Sequence, residues 1–311
     1  MHQIAANERK THCLRELSIG KLSLWIDDLG TGINVNFPPI YHEFEQFSVL
    51  DHAEISDTFD QQTSSAEANL VLELHGCPIP EAFDWGHLVH HNIIWELWQN
   101  SRGRFIFRKT SEPNNYCIIV ESNFERGQVI GEQLSALAEA GTLLSSLDLP
   151  LYANWLGGYG DLILHSASVV VAGQGYCFAG PSGVGKSTLA AFLATHHDLT
   201  VLGEDHIILR YLDGKFWIFG SPWHENLALC APMGVPLKKL IFIDRGANQG
   251  IESISPLEGV ARVLQTAFVP YYRSDLTAQI LGRLAKLAEE IPFFRLNYQL
   301  GTDPYEWILR A

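Results

Sequence analysis

Short apolar runs separated by polar turns fill the first part of the chain, and this alternation is typical of β-strands. The sequence predicts strands at four such runs, which cover residues 21–26, 69–74, 104–108 and 116–121. The last two flank a Thr-Ser-Glu-Pro-Asn-Asn segment that suits a hairpin turn. The polar stretch 51–68, with its run of glutamine, threonine and serine, predicts a loop.

The pattern becomes helical further along, where apolar residues recur three or four positions apart. Ile130, Leu134, Leu137 and Leu143 predict a helix within 128–146, and an Asp-Leu-Pro sequence then ends it. We place a domain boundary here. The prediction is a smaller β-rich α+β domain at 1–145, which binds substrate or a partner, followed by a second domain at 146–311.

The second half alternates predicted strands and helices, which is typical of an α/β fold. Apolar runs at 162–172 and 176–179 predict strands, and a helix is expected over 187–197. Ser255, followed by proline and then Glu258, forms a capping box that begins a helix ending at Ala267. Leucine and isoleucine spacing over 276–287 predicts a further amphipathic helix that packs on the sheet.

Composition and charge exclude several classes of protein and of binding partner. The 311 residues are 47% hydrophobic and 18% charged, as expected of a folded globular protein. The formal net charge of -14 counts against a nucleic-acid or anionic membrane partner. The five cysteines show no CxxC spacing, and no apolar run is long enough to span a bilayer. We therefore expect a cytoplasmic protein with reduced thiols.

The strongest motif is Gly-Pro-Ser-Gly-Val-Gly-Lys-Ser-Thr at 180–188, which follows a predicted strand and precedes a predicted helix. This is the phosphate-loop pattern GxxxxGK[ST], in which backbone amides surround phosphate oxygens, the lysine contacts terminal phosphates and the serine hydroxyl binds Mg²⁺. The residues expected to hold ATP are Gly180, Ser182, Gly183, Val184, Gly185, Lys186, Ser187 and Thr188.

Two acidic positions compete for the role of magnesium partner. Asp244 ends an apolar run, as in a second nucleotide motif, whereas Glu204 and Asp205 are adjacent after the phosphate-loop helix. An adjacent pair allows one carboxylate to engage the metal while the other accepts a proton from an incoming hydroxyl. The paired site therefore favours a kinase over an ATPase that only positions water.

Three motifs in order resemble the C-terminal catalytic domain of the HPr kinase/phosphorylase family, over roughly residues 148–300. They are Leu-His-Ser-Ala-Ser at 164–168, the phosphate loop, and Gly-Glu-Asp at 203–205. The resemblance implies a phosphoenolpyruvate-carboxykinase-type nucleotide fold that uses ATP and Mg²⁺. It also implies catalytic roles for His165, Lys186, Glu204 and Asp205, with Ser187 and Asp205 at the metal.

The departures from the family pattern point to a divergent member. Glu204 stands where the family has aspartate, Thr188 stands where the bacterial regulators usually have glutamate, and no Glu-x-Arg-Gly signature follows the acidic pair. These differences count against phosphorylase activity and against HPr as the acceptor. The Gly-Ser-Pro-Trp stretch at 220–223 is instead similar to HPr-kinase-like proteins of peptide-modification clusters, some of which phosphorylate a serine of a lasso-peptide precursor.

The resemblance thus implies transfer of the γ-phosphoryl group of ATP to a serine-type hydroxyl of a peptide or protein. A kinase of a small hydroxylated metabolite and a non-catalytic ATP-binding regulatory module are the alternatives. Four residues are candidates for substrate or phosphate contacts: His224, Glu225, Arg273 and Arg295. Histidines 87, 90 and 91 lack the companion ligands of a metal site, so we expect them at the surface. The resemblance also raises the prospect of a homo-oligomer.

Overall fold

A computed structural model describes most of the chain. The described residues are 12–19, 22–27, 45–50, 68–110, 116–140, 142–144, 146–223, 229–246, 248–299 and 301–311. They divide into two compact units, Met1–Asp148 and Leu149–Ala311. Within these ranges no helix combines the length and apolar character needed to cross a membrane.

The first unit is built on a nine-stranded sheet. Its strands are β1 His12–Ile19, β2 Leu22–Asp27, β3 Glu45–Leu50, β4 Ala68–His75, β5 His87–His91, β6 Trp95–Gln99, β7 Phe105–Lys109, β8 Tyr116–Val120 and β9 Arg126–Gly131. Their order across the sheet is β3-β1-β2-β4-β9-β8-β7-β6-β5. The pairs β2–β4 and β4–β9 are parallel, and the other neighbours are antiparallel.

All four predicted strands in this unit are confirmed, as β2, β4, β7 and β8. β7 and β8 pair antiparallel as the predicted hairpin, with Phe107 opposite Ile118. The turn itself, at 111–115, lies outside the described residues, as does nearly all of the predicted loop at 51–68; Ala68 already belongs to β4.

The helix predicted within 128–146 is largely wrong. Residues Arg126–Gly131 form β9, which lies between β4 and β8, and only Leu134–Glu139 form a helix, α1. The predicted helical spacing began at Ile130, but Ile130 is a strand residue that pairs with Cys117 of β8. Long-range strand pairing therefore outweighs the local spacing.

The second unit mixes strands and helices, as expected for an α/β fold. Its strands are β10 Leu162–Val171, β11 Gln174–Ala179, β12 Thr200–Gly203, β13 His206–Leu212, β14 Lys215–Phe219, β15 Gly234–Asp244, β16 Gly250–Ser253 and β17 Phe293–Asn297. Its helices are α3 Lys186–His197, α4 Pro256–Thr266, α5 Ser274–Glu290 and α6 Tyr305–Arg310, and α2 Asp148–Gly157 spans the boundary between the units.

Helices cover both faces of the central strands of this unit. Alternate residues of β11 point into different cores: Cys177 packs with buried residues of α4 and α5, whereas Phe178 packs with residues of α3 and α6. β11 runs antiparallel to β10 and parallel to β15. The phosphate loop therefore begins at the end of a central strand that is buried on both faces.

The two C-terminal helix predictions are confirmed. Ser255 caps α4, where its hydroxyl accepts a hydrogen bond from the backbone nitrogen of Glu258 at 3.2 Å. The predicted apolar stripe of α5 is buried and comprises Leu276, Ile280, Leu284 and Leu287.

Candidate functional site

The phosphate-loop motif connects β11 directly to α3. Its three glycines have positive φ angles, 150° at Gly180, 73° at Gly183 and 112° at Gly185. A Cβ at Gly180 would lie 3.1 Å from both the Ile243 carbonyl oxygen and Val184 Cγ1, so the neighbouring strand or the loop itself would have to shift to admit one. Glycine thus allows the tight turn that a concave, anion-binding backbone requires.

Lys186 is the first residue of α3, and only 4% of it is exposed. Its Nζ donates hydrogen bonds to the carbonyl oxygens of Gly180, at 3.0 Å, and Pro181, at 3.2 Å. Burial lowers the pKa of this ammonium group, and the Asp205 carboxylate partly opposes that effect. These hydrogen bonds hold the lysine side chain against the first two residues of the phosphate loop.

Two further side chains hold the loop in place. The Tyr298 hydroxyl donates to the Gly185 carbonyl oxygen at 3.0 Å, and the Arg245 guanidinium donates to the Gly183 carbonyl oxygen. Neither was predicted from the sequence. Arg245 directly follows the apolar run that ends at Asp244, which is a signal that could have been followed, but nothing near Tyr298 in the sequence links it to the loop.

The acidic pair occupies the connection between β12 and β13. The Ser187 hydroxyl donates to the Glu204 carbonyl oxygen at 3.0 Å, which joins this connection to the start of α3. The Ser166 backbone nitrogen donates to the Asp205 carbonyl oxygen at 2.9 Å, which joins it to β10. These two hydrogen bonds therefore hold the acidic pair between the start of α3 and β10.

The Asp205 carboxylate lies between two imidazoles. Its Oδ1 is 3.1 Å from His165 Nε2 and its Oδ2 is 2.8 Å from His206 Nδ1. Burial by itself would raise the pKa of Asp205, but the hydrogen bond from His206 and the positive charges nearby lower it below its ordinary value. The carboxyl group is therefore ionised at neutral pH.

The environment of His165 disfavours its protonated form. Burial and the positive charge of Lys186 lower the pKa of this imidazole, and Asp205 opposes them only in part. At neutral pH the ring is uncharged, so its Nε2 next to an ionised carboxylate is a hydrogen-bond donor. His206 was not singled out from the sequence, although it directly follows the acidic pair.

These groups line one cleft of about 220 Å³. Its lining residues are His165, Ser182, Gly183, Gly185, Lys186, Ser187, Thr188, Glu204 and Asp205. Pockets that enclose a whole drug-sized ligand have volumes of about 300–1,000 Å³. The cleft is therefore smaller than a whole nucleotide requires and is comparable with its phosphate groups.

The competing acid, Asp244, has a different environment. Arg262 binds its two carboxylate oxygens at 3.0 and 2.9 Å, and Arg295 approaches the same carboxylate at 3.3 Å. Arg295 also pairs with Glu252 and Glu258. Two guanidinium groups thus bind Asp244, which does not line the cleft. The acidic residues that line it are Glu204 and Asp205.

The predicted substrate contacts are not brought together. Arg295 belongs to the ion-pair network of Asp244, and Arg273 pairs with Asp275 at 2.6 Å beside the start of α5, so neither lines the cleft. His224 and Glu225 lie outside the described residues.

The three histidines of β5 are partly or largely exposed, as expected. In the described portion of the chain, no group of three or more histidine, cysteine or acidic side chains is arranged to hold a metal ion.

The cleft residues fit a nucleotide triphosphate and Mg²⁺ by their chemistry. The three loop glycines have positive φ angles that residues with a Cβ rarely adopt, and Lys186 provides a cation beside them. The Ser187 hydroxyl and the carboxylates of Glu204 and Asp205 are hard oxygen donors, the type that Mg²⁺ prefers. These residues would hold the ion together with phosphate oxygens.

Comparisons with known proteins leave the family of the chain open. No family model matches the sequence, and no curated protein matches it significantly. Among solved structures, the chain is similar to the Hpr(Ser) kinase/phosphatase from Coxiella burnetii, with 12% identity, coverage of 48% of this chain and 88% of that one, and a TM-score of 0.28. A likeness at this score and identity does not establish a shared fold.

Proposed function

We propose that the chain is an ATP- and Mg²⁺-dependent kinase that transfers the γ-phosphoryl group to a serine-type hydroxyl of a peptide or protein. The observation that carries the proposal is the cleft in which a phosphate loop, a buried lysine, two adjacent carboxylates and a histidine converge. A protein that only binds nucleotide has no need of an oriented acid and imidazole next to the phosphates.

The proposed roles follow from the positions of the side chains. Lys186 and the loop amides neutralise phosphate charge, while Ser187 and Asp205 hold Mg²⁺, which when bound stabilises charge on the phosphate oxygens. Glu204 or Asp205 accepts the proton of the acceptor hydroxyl as its oxygen bonds to the γ-phosphorus and ADP leaves. His165 orients Asp205 or the acceptor from the side of β10.

A peptide acceptor is favoured by the resemblance of the 220–223 stretch, which contacts the residue that follows the acidic pair. The Ser221 hydroxyl donates to the His206 carbonyl oxygen at 2.7 Å, and the Trp223 carbonyl oxygen lies 3.0 Å from His206 Nδ1. The segment that carries the resemblance to peptide-modifying kinases is therefore joined to the acidic pair.

The test is incubation with γ-labelled ATP, Mg²⁺ and a panel of serine peptides and small alcohols, comparing wild type with a Glu204→Gln/Asp205→Asn double variant. We expect peptide labelling by the wild type, a loss of at least about 100-fold in the variant, and retained ATP binding in calorimetry. The matched control is Asp213→Asn/Glu289→Gln, which neutralises two exposed carboxylates that do not line the cleft.

Other results would change the proposed function or refute it. ATP binding without labelling of any acceptor would indicate the regulatory module, and labelling of small alcohols alone would indicate a metabolite kinase. Calorimetry that detects no ATP binding by the wild type would refute the nucleotide site itself.

A further inference from the structure

We propose that His206 is a positioning residue that sets the orientation of the Asp205 carboxylate. The inference deepens the proposed function and, for its kinetic consequence, rests on it. Its structural part concerns only side chains of this chain: one imidazole holds the carboxylate oxygen that faces away from the cleft, so that the other oxygen is presented to the cleft.

Strand register places the two histidines on either side of Asp205. His165 of β10 is directly opposite His206 of β13, and directly paired residues on neighbouring strands project to the same face of a sheet. Their ring centroids are 6.1 Å apart. The Asp205 carboxylate contacts both rings, at 3.1 Å from His165 Nε2 and 2.8 Å from His206 Nδ1.

The hydrogen-bond partners of His206 identify where its proton lies. Nδ1 is 2.8 Å from Asp205 Oδ2 and 3.0 Å from the Trp223 carbonyl oxygen. Both partners are acceptors, so a nitrogen between them must carry the hydrogen. We therefore assign a proton to Nδ1, which the Trp223 carbonyl oxygen and the Asp205 carboxylate share.

The His206 ring has little freedom to move. Its side chain is only 14% exposed, and the Phe268 ring packs on it with centroids 5.0 Å apart. The backbone of Phe268 is anchored to β10, because its nitrogen donates to the Ile163 carbonyl oxygen at 2.8 Å. A rigid donor of this kind restrains rotation of the carboxylate it holds.

The two oxygens of Asp205 consequently have different surroundings. Oδ2 is bound to His206, which is not among the residues lining the cleft, whereas Oδ1 lies beside His165, which is. The interaction with His206 therefore leaves Oδ1 as the oxygen directed to the phosphate side. Residues that orient a metal-binding or proton-accepting group in this way commonly affect function 10–100-fold.

The experiment compares His206→Asn with His206→Gln. The asparagine amide nitrogen can replace Nδ1, whereas the glutamine amide nitrogen corresponds to Nε2 and points elsewhere. We expect His206→Gln to lower kcat for peptide phosphorylation by about 10–100-fold without changing ATP affinity, and His206→Asn to restore most of that loss. The control is His87→Gln, an exposed histidine of the first unit.

A spectroscopic measurement tests the arrangement without activity. In ¹⁵N-histidine spectra, the signal absent from His206→Asn identifies His206, and we expect it to show a proton on Nδ1 that is altered by Asp205→Ala. An Nε2-only proton would overturn the proposal, as would equal losses in the Asn and Gln variants or full activity of His206→Gln. If wild type phosphorylates nothing, the proposed function fails while the spectra still decide the role of His206.

Discussion

At the scale of single residues, the space around a glycine decides what an alanine substitution does to the phosphate loop. Gly180 and Gly173 both have positive φ angles and lie beyond opposite ends of β11, yet only Gly180 is crowded. Alanine substitutions at the two positions therefore separate two effects. Both place a Cβ at a positive φ angle, and only the one at Gly180 also displaces the phosphate loop.

We expect Gly180→Ala to abolish or strongly weaken ATP binding, because the added Cβ would press against the Ile243 carbonyl oxygen and displace the loop. Gly173→Ala is the control: its Cβ meets nothing within 4 Å, so it should cost only about 1–2 kcal/mol of stability for the positive φ angle. Calorimetric titration with ATP and urea unfolding of both variants check this. Equal ATP affinity in the two variants would contradict it.

The Asp205 carboxylate should stabilise the fold in a pH-dependent manner. Its pKa is lowered in the folded protein, so the stabilisation is present above the ordinary value of 3.8 and is lost as the pH falls below it. We expect Asp205→Asn to be less stable than wild type near neutral pH by about 1.5 kcal/mol, the low end for a charged hydrogen bond because the side chain is 32% exposed.

The measurement is urea unfolding of wild type and Asp205→Asn at several pH values on both sides of 3.8. The difference in free energy of unfolding should shrink as the solution becomes more acidic. A difference that is constant with pH would mean that the charge of Asp205 does not contribute.

At the scale of secondary structure elements, helices α4 and α5 show how tertiary contacts decide the effect of one substitution. Gly259 of α4 lies against Phe293 of β17, and a Cβ there would be 2.1 Å from that ring. Gly282 of α5 is exposed, and a Cβ would meet nothing within 4 Å.

Alanine should therefore have opposite effects at these two helical glycines. We expect Gly282→Ala to stabilise the protein by about 0.5–1 kcal/mol through helix propensity, and Gly259→Ala to destabilise it by about 1–3 kcal/mol through overpacking. Thermal and urea unfolding of each variant provide the test. The same sign of change at both positions would show that the contact with Phe293 is easily relaxed.

The elements also show which predictions depend on local signals. The Ser255 cap, the apolar stripe of α5 and the β7–β8 hairpin were all predicted, because a capping side chain or a periodic pattern acts over a few residues. The strand at Arg126–Gly131 was not, because its pairing with β4 and β8 is made by distant parts of the chain.

At the scale of the whole molecule, the excess of 35 acidic over 21 basic residues is the dominant electrostatic feature. A net charge of -14 repels polyanions over most of the surface, although a local cation such as Lys186 can still contact one nucleotide. Binding of ATP and exclusion of nucleic acids are therefore compatible.

We expect no binding of duplex DNA or single-stranded RNA even at low salt, where phosphate contacts would be strongest. Fluorescence anisotropy with labelled oligonucleotides checks this, with labelled ATP as the positive control. Salt-sensitive binding of either oligonucleotide would indicate a basic surface that the overall charge conceals.

The sequence by itself determined the phosphate loop, its strand and helix, and the nearness of an acidic pair, because these depend on glycine geometry and on contiguous motifs. Only the tertiary structure decided that Asp244 is occupied by Arg262 and Arg295, and that Asp205 lies between His165 and His206. These arrangements join residues from separate strands and helices. Side-chain pairing across strands depends on register, and register is set by the packing of the complete sheet.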